Sequence, residues 1–187
     1  MDLGTPAVSI DGWLLAAERR PSDHWDPRPP GTSIDLLVIH NISLPPGEFG
    51  GPWLDDLFLG RLDWSAHPYF EGVRAAGRVS THLLIRRDGR LLQYVPFEHR
   101  AWHAGRSVFQ GRAECNDYSI GIELEGDDHG PFEDVQYSTL GRCTRAIQSR
   151  YPAISSDRIA GHSDIAPGRK TDPGPWFDWP RYLASIA

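Results

Sequence analysis

The sequence predicts an α/β fold in which helices flank a central mixed β-sheet. Short, strand-like apolar runs dominate the first two thirds of the chain, one long amphipathic helix pattern follows, and loops rich in Gly and Pro separate these segments. Strands and helices that combine in this way usually form helix layers on a sheet. The length of 187 residues and a hydrophobic content of 40% suit one domain with a single core.

Three strands are predicted in the first 95 residues. Residues 34–40, IDLLVIH, form a short β-branched apolar run between Gly- and Pro-rich segments, which is typical of a buried strand ending at His40. Residues 80–95 contain two further runs on either side of Asp88-Gly89, a dipeptide that favours a tight hairpin turn.

Two more strands are predicted in the second half of the chain. In residues 118–124, YSIGIEL, apolar side chains alternate with small or polar ones. The isoleucines therefore face one side of the strand, and Glu123 faces the other. Residues 157–162, DRIAGH, form one further short strand that ends at His162.

One long helix is predicted over residues 134–151, where apolar positions recur at spacings of three and four, as on a helix that packs against a sheet. These positions are Leu140, Cys143, Ile147 and Tyr151. Pro152 ends the helix, and residues 176–186 form a short closing helix. The long segment 43–79 is predicted to be a structured loop beside a site, since such loops are uncommon without a function.

The composition excludes some classes of partner. A net charge of −6 disfavours nucleic acid and anionic membrane surfaces, which basic faces usually bind. The N-terminal segment lacks the basic and apolar regions of a secretion signal, and no run approaches the ~20 apolar residues of a membrane span. We therefore expect a cytoplasmic protein with no nucleic-acid or membrane partner, in which Cys115 and Cys143 are buried, reduced thiols.

Three side chains at the ends of predicted elements form a possible metal site. His40 closes a strand, and His162 and Asp172 lie near the two ends of a C-terminal loop, GHSDIAPGRKTDPGP, that is too rich in Gly and Pro for a long helix or strand. Two imidazoles and one carboxylate are a zinc ligand set that leaves a fourth position open, as in catalytic zinc sites. From spacing alone the assignment is weak, because the two histidines are far apart in the sequence and a single histidine at a strand end usually only forms hydrogen bonds.

Two further residues could act on a substrate at this metal. Lys170 lies two positions before Asp172, so in an extended loop both project to the same side, and the ammonium can stabilise an oxyanion. Glu123 lies in mid-strand on the polar face, where a carboxylate has little structural use, and it is the candidate general base. Glu125, nearer the strand end, is the less favoured choice.

The segment AWHAG, which contains Trp102 and His103, has two interpretations. Aromatic and small residues together could line a sugar-binding groove, or they could pack beneath a loop. On the first interpretation both residues bind substrate. The other histidines outside the possible metal site are expected to have structural roles.

Five motifs, in chain order over about residues 13–179, resemble those of one known family. They are HNISLPPGEFGGPW, VSTHLLIRRDG, QYVPFEHRAWHAG, CNDYSIGIELEG and GHSDIAPGRKTDPGP. In these motifs the chain is similar to the AmpD-type N-acetylmuramoyl-L-alanine amidases, cytoplasmic enzymes of cell-wall recycling. The motifs are long and several, so chance does not explain the similarity.

The resemblance implies a fold shared with phage lysozyme-type amidases and peptidoglycan recognition proteins. It also implies one zinc amidase domain over residues 1–187, with Zn²⁺ held by the three residues of the possible metal site. The family's general base corresponds to Glu123, and its transition-state-stabilising lysine corresponds to Lys170. The implied reaction is hydrolysis of the amide between the lactoyl group of 1,6-anhydro-N-acetylmuramic acid and the L-alanine of a stem peptide. The expected partner is therefore a small anhydromuropeptide.

Several residues are predicted to contact this substrate. Asn41, in the first motif, is one of them. Stem peptides are anionic and the chain is acidic, so a local basic rim is expected from Arg78, Arg86 or Arg112. The resemblance implies a basic residue at the position of Glu114, so either Arg112 substitutes for it or the peptide preference differs. The alternative is that these arginines are ordinary solvated residues.

Two alternatives to the amidase function are left open. A non-catalytic muropeptide-recognition module would usually lack a metal ligand or the general base, whereas this chain has all five residues of the proposed centre. A zinc amidase or peptidase with another amide substrate would keep the same centre and would differ only in what it cleaves.

Overall fold

A computed structural model describes residues 6–75 and 77–187, which form short strands and five α-helices. The strands are, in chain order, β1 Glu18–Arg19, β2 Trp25–Pro27, β3 Leu36–Ile42, β4 Leu83–Ile85, β5 Leu91–Gln93, β6 His99–Ala101, β7 Val108–Phe109, β8 Arg112–Ala113, β9 Ser119–Glu125 and β10 Ile159–Gly161. The α-helices are α1 Trp53–Phe58, α2 Phe70–Arg74, α3 Asp134–Arg150, α4 His162–Ile165 and α5 Trp179–Ile186.

The central sheet has six strands in the order β1-β5-β4-β9-β3-β10. Strands β4 and β5 are antiparallel and enclose the predicted Asp88-Gly89 turn, while the other neighbours are parallel. The predicted mixed sheet with flanking helices is therefore confirmed. In the pairing of β3 with β9, His40 lies opposite Glu123, so both side chains project from the same face of the sheet.

Helices α3 and α5 cover the other face of the sheet. Ile120 and Ile122 of β9 pack in one core with Leu140 and Ile147 of α3 and with Tyr182 of α5. The predicted alternation along this strand is confirmed. Both isoleucines enter this core, whereas the side chain of the glutamate that follows Ile122 does not. The face that carries this carboxylate is thus supported from behind by a continuous apolar layer.

A second core lies on the face that carries His40 and Glu123. There Leu84 of β4 and Leu92 of β5 pack with Leu57 of α1 and Phe70 of α2. Both helices fall within segment 43–79, for which the sequence predicted only a structured loop. Helices this short gain their stability from tertiary packing of a few apolar side chains, which leaves little periodic signal in the sequence.

Several element boundaries differ from the prediction, and β3 continues to Ile42, two residues beyond the strand end predicted at His40. The strand expected over 157–162 is limited to β10, and His162 begins α4 instead of ending the strand. The closing helix begins at Trp179, because the carboxylate of Asp178 accepts a hydrogen bond from the backbone N–H of Arg181 and caps the helix. Among the described residues, no helix combines the length and apolarity needed to cross a membrane.

Both cysteines are buried free thiols, as predicted. Cys143 lies on the apolar face of α3, and burial raises the pKa of its thiol to about 12. A thiol of this kind stays protonated at neutral pH and behaves as a small apolar side chain.

A buried ion cluster joins the helical segment to the sheet. The guanidinium of Arg86 lies 2.9 Å from a carboxylate oxygen of Glu125 on β9 and 2.9 Å from one of Asp55 on α1. Glu125 also accepts hydrogen bonds from the backbone N–H groups of Gly50 and Arg87, at 2.7 and 3.1 Å. Glu125 is only 2% exposed, and its contacts show that it has a structural role.

Replacing Arg86 by methionine is expected to lower the free energy of unfolding by about 3–5 kcal/mol, because it leaves a buried carboxylate without its cation. For a chain of this length the thermal midpoint should fall by about 10 °C. The matched control is Arg87→Met, which removes an exposed ion pair with Glu133 and should cost less than about 1 kcal/mol. Equal midpoints for the two variants, measured by circular dichroism, would contradict the role given to Arg86.

Candidate functional site

Three donor atoms converge at the edge of the sheet where β3 and β10 end. Nδ1 of His40, Nδ1 of His162 and Oδ2 of Asp172 lie 3.0 Å from one another in each pair. Ligands bonded to one zinc ion at 2.0–2.2 Å lie about 3–4 Å apart, so this triangle fits a single ion. The structure thus brings together the three residues predicted to bind metal.

The outer nitrogen of each histidine is also held. Nε2 of His162 lies 3.0 Å from the carbonyl oxygen of Ala104, which can only accept, so Nε2 carries the proton and Nδ1 presents its lone pair to the cluster. Nε2 of His40 lies 2.9 Å from Nδ1 of His103. Both ligand rings are therefore fixed by contacts outside the triangle.

The charge state of the cluster suits a cation. Burial lowers the pKa of His40 to about 4, an effect that contact with Asp172 only partly opposes, so this imidazole is neutral at neutral pH. Burial alone would raise the pKa of Asp172, but its contacts with His162 and His40 outweigh burial and hold the pKa below its usual range. A neutral imidazole and an ionised carboxylate are the forms that bind zinc.

Glu123 lies beside this cluster, with Oε1 4.0 Å from Nδ1 of His40. Its side chain is 7% exposed, and among the described residues no hydrogen-bond partner reaches its Oε2. Burial raises the pKa of this carboxyl well above its ordinary value, nearby Asp172 raises it further, and Lys170 lowers it. An unpartnered carboxylate with a raised pKa has the properties of a general base rather than of a structural residue.

A cavity of about 700 Å³ opens onto the cluster. Its polar end contains the three donor residues together with Glu123 and Lys170, so the structure brings all five predicted residues to one site. Its other walls come mainly from segment 43–79 and include Leu57 and Val73. A cavity with one charged end and apolar walls suits a ligand that is itself part polar and part apolar.

Three of the residues predicted to bind substrate line this cavity, namely Asn41, Trp102 and His103. The amide nitrogen of Asn41 donates to Asp128 and to the carbonyl oxygen of Pro173, at 2.8 and 2.9 Å. The indole N–H of Trp102 donates to another carboxylate at 2.6 Å, so its ring is held in place. His103 is 9% exposed and uses both ring nitrogens inside the protein.

The predicted arginines lie elsewhere, and none of them lines this cavity. Arg78 is exposed beside a smaller neighbouring cavity, and Arg86 is buried in its ion cluster. Arg112 pairs with Asp35 at 3.3 Å and stacks over the ring of Tyr118, 3.7 Å from the centroid. Their contact with substrate stays a prediction that the geometry does not support.

Two contributors to the site were not predicted from the sequence. Ala104 acts through its backbone carbonyl, which gives no residue-type signal. Tyr69 is an exposed aromatic residue on the cavity wall, and the sequence placed it only within a long loop. The concentration of Trp, Tyr and Phe in segment 43–79 is the signal that could have identified such a wall.

Comparisons with known proteins point to one family. The family model described as N-acetylmuramoyl-L-alanine amidase matches residues 30–175. The chain is 60% identical, over 94% of its length and 93% of the other, to the 1,6-anhydro-N-acetylmuramyl-L-alanine amidase AmpD of Citrobacter freundii. This sequence identity is far above the 17% shared with an endolysin amidase of the same fold from Clostridium intestinale.

Solved structures agree with the sequence matches. A crystal structure of a selenomethionine AmpD derivative superposes with a TM-score of 0.92 at 58% identity, covering 96% of this chain and 99% of the other. The amidase AmiD of E. coli, in complex with the substrate anhydro-N-acetylmuramic acid-L-Ala-D-gamma-Glu-L-Lys, superposes with a TM-score of 0.59 at 30% identity, covering 97% of this chain and 66% of the other. The chain is therefore a hydrolase that belongs to the N-acetylmuramoyl-L-alanine amidase family, and within it to the AmpD-type enzymes.

Proposed function

We propose that this protein is a zinc-dependent amidase that cleaves the bond between the lactoyl group of 1,6-anhydro-N-acetylmuramic acid and the L-alanine of a stem peptide, during peptidoglycan recycling in the cytoplasm. The observation that carries the proposal is the 3.0 Å triangle of His40, His162 and Asp172 beside an unpartnered Glu123 at the end of an open cavity. The name of the AmpD relative and the substrate bound to AmiD support the choice of substrate.

Zinc is the metal that best fits these residues. Two imidazoles and one carboxylate match the ligand sets of catalytic zinc sites. His40, His162 and Asp172 would hold this ion, which would supply Lewis acidity at the end of the cavity. We propose that residues 1–187 form one domain around this centre.

Glu123 and Lys170 carry out the remaining chemistry. Glu123 accepts a proton from the attacking water and delivers it to the nitrogen of L-alanine as the amide bond breaks, so no other proton donor is needed. The ammonium of Lys170 stabilises the negative charge that develops on the former carbonyl oxygen. The raised pKa of Glu123 suits this cycle, because the group must hold the proton between the two transfers.

The cavity walls provide the contacts for the rest of the substrate. Trp102 offers an indole ring held by its own N–H, and such rings commonly stack on sugars. Asn41 uses its amide nitrogen within the protein, which leaves its carbonyl oxygen able to accept a hydrogen bond from a peptide N–H. We propose that the sugar and the first residues of the peptide lie along these two side chains.

The test is mass spectrometry of the purified protein incubated with anhydro-N-acetylmuramyl tripeptide. Samples are compared as isolated, after chelation, and after chelation followed by zinc. Release of free tripeptide, lost with chelator and regained with zinc, is the expected result. The same assay on the non-anhydro muropeptide and on a plain peptide separates the substrates.

Two other results would replace the proposal. If zinc-loaded protein binds the muropeptide without cleaving it, the protein is a recognition module. If it cleaves a plain peptide and leaves the muropeptide intact, it is an amidase or peptidase for another substrate.

A further inference from the structure

We propose that the dipeptide His103-Ala104, held by the side chain of Asn116, orients both imidazole ligands from outside and thereby sets the affinity of the site for its metal. This inference rests on the zinc site of the proposed function. It gives His103 a positioning role behind the ligands, in contrast to the substrate contact predicted from the sequence. We name residues 103–104 the clamp.

The clamp contacts one histidine ligand with each of its two residues. Nδ1 of His103 lies 2.9 Å from Nε2 of His40, and the carbonyl oxygen of Ala104 lies 3.0 Å from Nε2 of His162. The two ligands come from elements far apart in the sequence, β3 and α4. A single short segment therefore fixes the relative orientation of both rings.

The two contacts differ in chemistry. A carbonyl oxygen only accepts, so the contact with Ala104 favours a proton on Nε2 of His162. The same carbonyl oxygen also accepts from Nη2 of Arg169 at 2.6 Å, and this nitrogen lies 3.4 Å from Nε2 of His162. An imidazole nitrogen can donate or accept, so His103 fixes His40 only if its own Nδ1 is kept unprotonated. Nε2 of His103 lies 3.1 Å from the hydroxyl oxygen of Ser119, which can accept the Nε2–H of that tautomer. A metal on Nδ1 of His40 requires this tautomer, because Nε2 of His40 must then donate to Nδ1 of His103, and the hydroxyl of Ser119 is placed to accept the remaining N–H of the ring.

Asn116 holds the backbone of the clamp. Its Oδ1 accepts hydrogen bonds from the N–H groups of His103 and Ala104, at 3.1 and 2.8 Å, and the residue is 6% exposed. The backbone carbonyl of Asn116 in turn accepts from the guanidinium of Arg28 at 3.1 Å. Both residues of the clamp therefore depend on the same amide oxygen.

The ring of His103 packs against the sheet at a glycine, Gly121 of β9. A Cβ atom added to Gly121 of β9 would lie 2.5 Å from Cγ of His103, which is closer than such atoms approach. The imidazole therefore lies directly against the backbone of the strand that carries Glu123. This contact prevents the ring from moving towards the sheet and keeps it against His40.

The test measures the zinc dissociation constant by competition with a chromophoric chelator at neutral pH. His103→Leu removes the acceptor for His40, and Asn116→Ala removes the support of the clamp. Each variant should bind zinc about 10- to 100-fold more weakly than wild type, the range measured when contacts to metal ligands are lost. His103→Asn keeps an oxygen that can accept from His40 and should recover most of the affinity.

A control separates loss of orientation from loss of stability. Leu140→Ala opens a cavity in the core behind the sheet, far from the clamp, and should lower the thermal midpoint without changing the affinity for zinc. If His103→Leu shows no cooperative unfolding, Ser119→Ala decides the question, because it removes one oxygen and should weaken binding about fivefold.

The outcomes are distinct. Wild-type protein that binds no zinc would end the proposed function itself. Wild-type protein that binds zinc, together with clamp variants of unchanged affinity, would overturn this inference and leave the proposed function intact. Equal weakening in Leu140→Ala would also overturn it, since the effect would then follow stability alone.

Discussion

Glu123→Gln should lower kcat by about 10²- to 10⁴-fold, the contribution usual for a positioned general base, while the protein retains its zinc. The amide has nearly the shape of the carboxylate but cannot accept the proton of the attacking water. Glu123 does not belong to the triangle of donor atoms, so its replacement leaves the ligands in place. The measurement combines steady-state release of tripeptide with the zinc content of the same sample.

Glu125→Gln is the matched control, since it alters the next carboxylate on the same face of β9. Glu125 is engaged with Arg86, so the variant should lose stability and keep kcat for the folded enzyme within a few-fold of wild type. A large loss of kcat in Glu125→Gln, with normal turnover in Glu123→Gln, would show that the base is assigned to the wrong residue.

Asp172→Ala should lose both metal and activity. Removing one of three ligands leaves two imidazoles, and the affinity for zinc should fall by more than the roughly 100-fold that outer contacts contribute. Zinc content after dialysis and release of tripeptide are the two measurements. Asp127→Ala, in a nearby loop and outside the triangle, is the control that should keep both.

Full zinc content with full activity in Asp172→Ala would remove this residue from the ligand set. Full zinc content with lost activity would instead assign Asp172 to a step after metal binding. Together with Glu123→Gln, this variant distinguishes a residue that holds the metal from one that moves a proton.

The residues of the site were predictable because their chemistry is unusual for their positions. His40 and Glu123 lie opposite each other within buried strands, and His162 begins α4, positions at which imidazoles and carboxylates have few structural uses. The motifs around them also matched a known family. These side chains and the motifs around them were therefore enough to predict the fold and the residues that meet at the site.

What could not be predicted depends on contacts between distant residues. Helices α1 and α2 exist because a few apolar side chains pack on β4 and β5, which local periodicity does not reveal. The arginines were expected near substrate from net charge, but the partners of Arg112 and Arg86, Asp35 and Glu125, lie far away in sequence. Only the folded structure determines which carboxylate pairs with a given arginine.

The in-register pairing of His40 with Glu123 has a consequence for how this enzyme can diverge. Deleting one residue of β9 before Ile122 would turn the carboxylate of Glu123 into the apolar core and place Ile122 at the position of Gly121, against the ring of His103, since strand side chains alternate. The position of the Glu123 carboxylate therefore depends on the number of residues in this strand. Segment 43–79 can gain or lose residues, because its turns lie at the surface. The wall of the cavity can therefore change in size while His40 and Glu123 keep their register.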